Sequence, residues 1–197
     1  MRTLFLDLAS SQRSIAIIDN QSVYRYIIPS LPSEQLIESI RQLFEQKNLE
    51  ISSVHRLASI IGPGGFMSLR ESIAIANSLS QTLKIPVAGI HASDLLFARL
   101  ASAKQCLWVH STRKELVFVR NFFLEYTQWN ESTLVSLETL TPLKNIQYIG
   151  ELIPVHQAAL PVWNPCALHS LEDVLPRYIE TLSYTQCLLT PWYGREA

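Results

Sequence analysis

Asp7 sits at the end of an apolar run, "LFLD", followed by "LASSQRS" with its three serines Ser10, Ser11 and Ser14. A carboxylate on a buried strand can hold a metal ion or position a phosphate, and both chemistries need further groups to converge on it. The sequence offers few. Only four aspartates exist, Asp7, Asp19, Asp94 and Asp173, and the strand read at "LASIIG" ends without a carboxylate. Hydrogen bonds from the neighbouring serines account for Asp7 as a turn residue. The five histidines, His55, His91, His110, His156 and His169, show no i, i+3 or i, i+4 pair, so no helical metal site is read. No serine lies in a GxSxG elbow. Cys106 falls inside an apolar strand, where a thiol packs and does not react.

The glycine-rich stretch "IIGPGGFMSLRESIAIANSL" at 60–79 holds Gly62, Gly64 and Gly65. A phosphate loop needs GxxxxGK with a following Ser or Thr, and a dinucleotide fingerprint needs GxGxxG. Neither is met. A tight strand-to-helix turn explains Gly62, Pro63 and Gly64. It leaves the following helix unexplained. Phe66, Leu69, Ile73, Ala76 and Leu83 form one stripe, Ile75 and Leu79 lie off it, and Ser68, Ser72, Ala74, Ser78 and Ser80 are small. A helix apolar or small nearly all round is buried on several sides, and a sheet covers one. The sequence therefore leaves two covers for the other side, a partner chain, which is the sharper reading, or further burial within this chain.

The elements that position these residues follow from hydrophobic period. "TLFLDLAS", "SIAIIDN" and "SVYRYIIP" read as three strands of an antiparallel meander. Leu36, Ile40, Leu43 and Phe44 then mark a helix with Ser33 as N-cap. "HRLASIIG" is a fourth strand, 66–84 a second helix, and "IPVAGI" a fifth strand. The order β-β-β-α-β-α-β predicts a ribonuclease-H-like α/β half. After a helix at 93–103, strands begin again at "QCLWVHS", "ELVFVRNFF" and "EYTQW", with "NIQYIGE" and a helix near "SLEDVLPRYIETLS" later. Two halves are expected, 1–104 and a smaller 105–197 of related plan.

The chain of 197 residues is 48% hydrophobic and 17% charged with a net charge of -1. This composition is globular, and it gives no bulk attraction to nucleic acid. The opening residues do not read as a signal peptide, no stretch is long enough to span a membrane, and the three cysteines lack a CxxC. A cytoplasmic protein with reduced thiols is expected.

Over most of its length the sequence resembles the TsaB (YeaZ) family. "LFLDLASSQRSIAII" is similar to that family's LAIDTS…SVAL, and "IIGPGGFMSLRESIAIANSLSQTLKIPVAGIHASDL" to its GPGSFTGLRIG signature. "WVHSTRKELVFVRNF", "YIGE" and "PWYGREA" match its later motifs. Gly62, Pro63, Gly64, Phe66, Leu69 and Arg70 align by position, while Gly65, Met67 and Ser68 depart from the pattern. Arg113 and Glu115 are kept, and an aspartate beside them is lost. The metal-binding HxxxH of the catalytic paralogue is absent.

The resemblance implies an actin-like ATPase fold in two related halves, without independent activity, metal or cofactor. It implies a scaffold or activator in tRNA N6-threonylcarbamoyladenosine modification. A TsaD-like catalytic subunit and a TsaE-like ATPase would be its partners, with tRNA reached only through the complex. The implied docking elements are the helices at 33–47 and 66–84. Phe66, Leu69, Arg70, Ile73, Asn77 and Ser80 are expected to line the interface, with Leu36, Ile40 and Phe44 helping. Ala76→Arg or Ser80→Arg is then expected to leave a folded chain that no longer pairs. Two alternatives stay open. One is a phosphotransferase or glycoprotease-like hydrolase acting alone around Asp7 and Glu115. The other is a homodimer using the same helix.

Overall fold

The computed structural model describes residues 1–28, 34–101, 105–112, 115–123 and 132–194. Ser33, Arg113 and the "EYTQW" segment lie outside the described residues. The chain forms two units, Met1–Ala92 with Leu171–Tyr193, and Ser93–Ser170 with Gly194–Ala197. The expected division at residue 104 therefore falls earlier, after Ala92. The segment Leu171–Tyr193 also returns to the first unit, because its apolar side chains cover that unit's sheet.

In the first unit β1 (Arg2–Asp7), β2 (Ser14–Asp19) and β3 (Ser22–Ile27) form the expected antiparallel meander. β4 (Arg56–Gly62) pairs parallel to β1, and β5 (Val87–His91) parallel to β4. The sheet order is β3-β2-β1-β4-β5. Each parallel step needs a crossover, supplied by α1 (Glu34–Gln46) and α2 (Phe66–Leu83). The central strands are apolar in near-continuous runs because both sheet faces are covered. One face carries Leu4, Leu6, Ile15, Ile17, Leu57 and Val87, packed with Leu36, Ile40, Leu43 and Phe44 of α1 and Ala76 of α2.

By strand alternation the opposite face presents Phe5, Ile18, Ala58 and Ile60, all fully buried. α6 (Leu171–Tyr178) contacts β2 and β3 and buries Leu171 and Leu175. On this side Arg56, donating from Nε to Thr3 Oγ1 at 2.8 Å, forms an ion pair with Glu180 and stacks 4.6 Å over Tyr184.

The second unit opens with α3 (Ala92–Ala98), which begins at the last residue of the first. Its sheet is built from β6 (Gln105–Ser111), β7 (Leu116–Phe123), β8 (Thr133–Ser136), β9 (Gln147–Glu151) and β10 (Asn164–Pro165). The order is β10-β9-β6-β7-β8, with β6, β7 and β8 antiparallel and β9 and β10 parallel to β6. Read from its first strand, this is the same plan as the first sheet: a meander on one side, parallel strands on the other. α4 (Leu137–Leu140) and α5 (Pro154–Ala159) complete it. His156 of α5 is buried, with Nδ1 2.9 Å from Ser111 Oγ, and Ser111 Oγ accepts from Ile153 N at 2.9 Å.

Candidate functional site: a groove between two helices

The glycine turn is explained by the chain itself. Gly62 has φ +148°, and a Cβ there would stand 2.3 Å from the carbonyl oxygen of Trp192. A Cβ on Gly64 would meet that of Ala9 at 2.6 Å. The loop thus admits two close approaches, one from the C-terminal segment and one from the first hairpin. Asp7 is also engaged locally. Its Oδ1 accepts from Ala9 N at 3.2 Å and Ser10 N at 3.0 Å, and its Oδ2 from Ser10 Oγ at 2.7 Å.

α2 turns Leu69, Ser72, Ile73, Ala76 and Ser80 inward. Two of its small residues serve close packing within the unit: Ser72 Oγ lies 2.9 Å from Ser59 Oγ of β4, and Ser80 Oγ donates to Ile85 O, in the turn after α2, at 2.6 Å. So three residues expected at a partner interface, Leu69, Ile73 and Ser80, are enclosed within the unit instead. Leu36, Ile40 and Phe44 are buried in the core with Ala76 of α2, although Ile40 and Phe44 also line the groove. Asn77 faces sideways and clamps Leu189, donating to its carbonyl at 3.0 Å and accepting its N–H at 2.8 Å.

Two expected residues do reach the surface. Phe66 is 48% exposed, and the Arg70 guanidinium lies 4.0 Å over its ring. Beyond them, α1 and α2 leave a groove of about 510 Å³ along their outer sides. Its floor and walls are Ile37, Ile40, Phe44, Leu49, Ile51, Ala74, Ile75 and Leu79, with Ser78, Arg41 and Glu45 at the rim. Ile37 is 66% exposed there. Arg41 bridges Glu38 and Glu45 on the outer face of α1, and this holds the Glu38 carboxyl down at about 2. The groove is apolar with a fixed charged edge, which suits a protein surface better than a small polar substrate. Among the described residues no three His, Cys, Asp or Glu side chains cluster as a metal set, and no helix is long and apolar enough to cross a membrane.

Residues 19–151 match the family described as TsaD: tRNA N6-adenosine threonylcarbamoyltransferase. The chain belongs to this family. Proteins named TsaB or YeaZ are among those it resembles over most of its length. A tRNA threonylcarbamoyladenosine biosynthesis protein TsaB of Buchnera aphidicola from Acyrthosiphon pisum is 26% identical, across 89% of this chain and 88% of that protein. The TsaB of Buchnera aphidicola from Schizaphis graminum is also 26% identical, over 65% of this chain and 59% of its own length. The solved structure of YeaZ from Pseudomonas aeruginosa superposes with a TM-score of 0.73 at 17% identity, covering 98% of this chain and 99% of that one. The actin-like fold of two related halves follows from this likeness and from the repeated sheet plan.

Ile75 and Leu79, which lie off the inward stripe of α2, and the small Ala74 and Ser78 line the groove, as a second covered side of that helix requires. Ile37 of α1 had no such signal beyond being apolar beside Leu36, because the stripe of Leu36, Ile40, Leu43 and Phe44 is the inward one.

Proposed function

We propose that this chain is a non-catalytic, cytoplasmic subunit of tRNA N6-threonylcarbamoyladenosine biosynthesis that docks a TsaD-like catalytic subunit in the groove between α1 and α2. The family and the TsaB-named relatives support membership of that system. The observation that carries the docking reading is the groove itself, an apolar cleft of about 510 Å³ with Ile37 standing 66% exposed at its wall. Contiguous exposed apolar surface of this kind marks an interaction site. A docked partner would bury about 800 Å² of each chain. A TsaE-like ATPase and tRNA join through the assembled complex in this reading, not through sites on this chain.

The test is co-expression with the TsaD-type subunit of the same organism, followed by size-exclusion chromatography with light scattering. The expected result is a stable heterodimer that Ile37→Asp abolishes, with the melting temperature of the isolated variant unchanged. Separate peaks for the parent chain, or a heterodimer indifferent to Ile37→Asp, would refute docking in the groove. A dimer of this chain that persists beside the catalytic subunit would assign the groove to self-association instead.

A further inference from the structure

Arg70 is a charge without a counter-charge. Among the described residues the ion pairs are made by Arg2, Arg25, Arg41, Arg56 and Arg120, and Arg70 is exposed and takes part in none. Its guanidinium is nevertheless held in place. It lies 4.0 Å over the Phe66 ring, and its Nε donates to Tyr193 Oη at 3.3 Å. Tyr193 is itself fixed, with its ring 5.2 Å from that of Phe66. The segment that delivers it is laced to the unit by the Asn77 clamp on Leu189 and by Trp192 N donating to Ile61 O at 2.8 Å.

A long flexible side chain normally loses rotamer freedom when it binds. Here stacking and the tyrosine hydroxyl have already removed much of it. An arginine preset in this way, with its terminal nitrogens directed to no described acceptor, is suited to a bidentate contact with a carboxylate. Position adds the second half of the argument. Arg70 and Ala74 are four residues apart on α2 and share a helical face, and Ala74 is a wall of the groove. A protein lying in the groove therefore passes Arg70 at its end. Phe66, exposed Met67, Arg70 and Tyr193 are also the residue types enriched where interfaces carry their energy.

We propose that Arg70 receives an aspartate or glutamate of the subunit docked in the groove, with Phe66 and Tyr193 as its positioning residues. This rests on the docking reading above. The experiment measures the dissociation constant of the purified catalytic subunit by calorimetry, at low and at high salt, for the parent, Ile37→Asp, Arg70→Ala, Arg70→Glu and Arg70→Lys. Loss of the charge is expected to weaken binding about tenfold at low salt and to flatten its salt dependence, Arg70→Glu more strongly than Arg70→Ala. Arg70→Lys is expected to recover the salt dependence but only part of the affinity. A purely structural role would lower the melting temperature of the isolated chain and leave the salt dependence alone. If the parent pairs, Ile37→Asp does not, and Arg70→Glu matches the parent at both salts, the assignment of Arg70 is overturned and the docking face stands. If the parent does not pair, the docking reading falls first and this inference with it.

Discussion

Replacing Gly62 by alanine tests how far the C-terminal segment governs the first unit. The added Cβ would lie 2.3 Å from the Trp192 carbonyl oxygen, and 3.2 Å from its carbonyl carbon and from its Cβ. Ordinary contact between such atoms is about 3.5 Å, so one side must move by about 1 Å. The φ of +148° adds backbone strain for any residue with a side chain. Overpacking and strain each cost about 1–3 kcal/mol when the surroundings hold still. The β4 end cannot yield easily, since β4 is held between β1 and β5. The C-terminal segment can. Its release forfeits three hydrogen bonds, Trp192 N to Ile61 O and the two from the Asn77 clamp, at about 1 kcal/mol each.

Gly62→Ala is therefore expected to destabilise by about 3 kcal/mol, with the loss concentrated in one segment. Urea unfolding gives the magnitude, and amide exchange at Leu189 and Trp192 gives the location. An unfolding free energy within about 0.5 kcal/mol of the parent, with those two amides still protected, would refute the reasoning.

Ala76→Arg and Ser80→Arg place a charge against the first sheet, where Ala76 is fully buried. Contrary to the expectation from sequence, Ala76→Arg should unfold the unit at a cost of several kcal/mol, whereas Ser78→Arg, on the exposed rim, should melt like the parent. Circular dichroism melts separate the two. In the second unit, burial holds the His110 imidazole down at about 4, from 6.5. The neutral ring is the form the fold accepts, so its contribution is complete above about pH 6.5 and is lost as pH falls from there toward 4. The ring is half-buried, which limits the loss to about 1–2 kcal/mol. Melts between neutral pH and about pH 5 should fall less steeply in His110→Gln; equal slopes would remove His110 from the account.

The first sheet and its two crossover helices were legible because period-2 and period-3.6 patterns follow directly from which face is buried. Leu36, Ile40, Leu43 and Phe44 declared α1 for that reason. The same logic misdirected the site. Leu69, Ile73 and Ser80 make the clearest apolar or small row on α2, and the clearest row is the one that packs on the chain's own strands. An outward face is a weaker, mixed row, here Met67, Ala74 and Ser78, whose meaning emerges only once Ile37 of α1 lies across from it. Asn77 gave no hint of its clamp, since its partner Leu189 is 112 residues away. The second unit was harder to read because α4 and β8 are four residues each and β10 two, too short for any period. That α6 belongs to the first unit depends on long-range packing of Leu171 and Leu175, which local sequence does not encode.

The return of Leu171–Tyr193 sets an order of events during translation. When the first five strands have left the ribosome, the face that α6 will cover is still bare, and the residues that cover it are made only after the second unit. The nascent chain must carry an apolar sheet face through the synthesis of the whole second unit, a state open to aggregation or to chaperone capture. The same timing withholds Tyr193, and with it the ordered Arg70, until the second unit has been made. A partner that requires that arginine set in place would ignore chains whose returning segment has not yet docked.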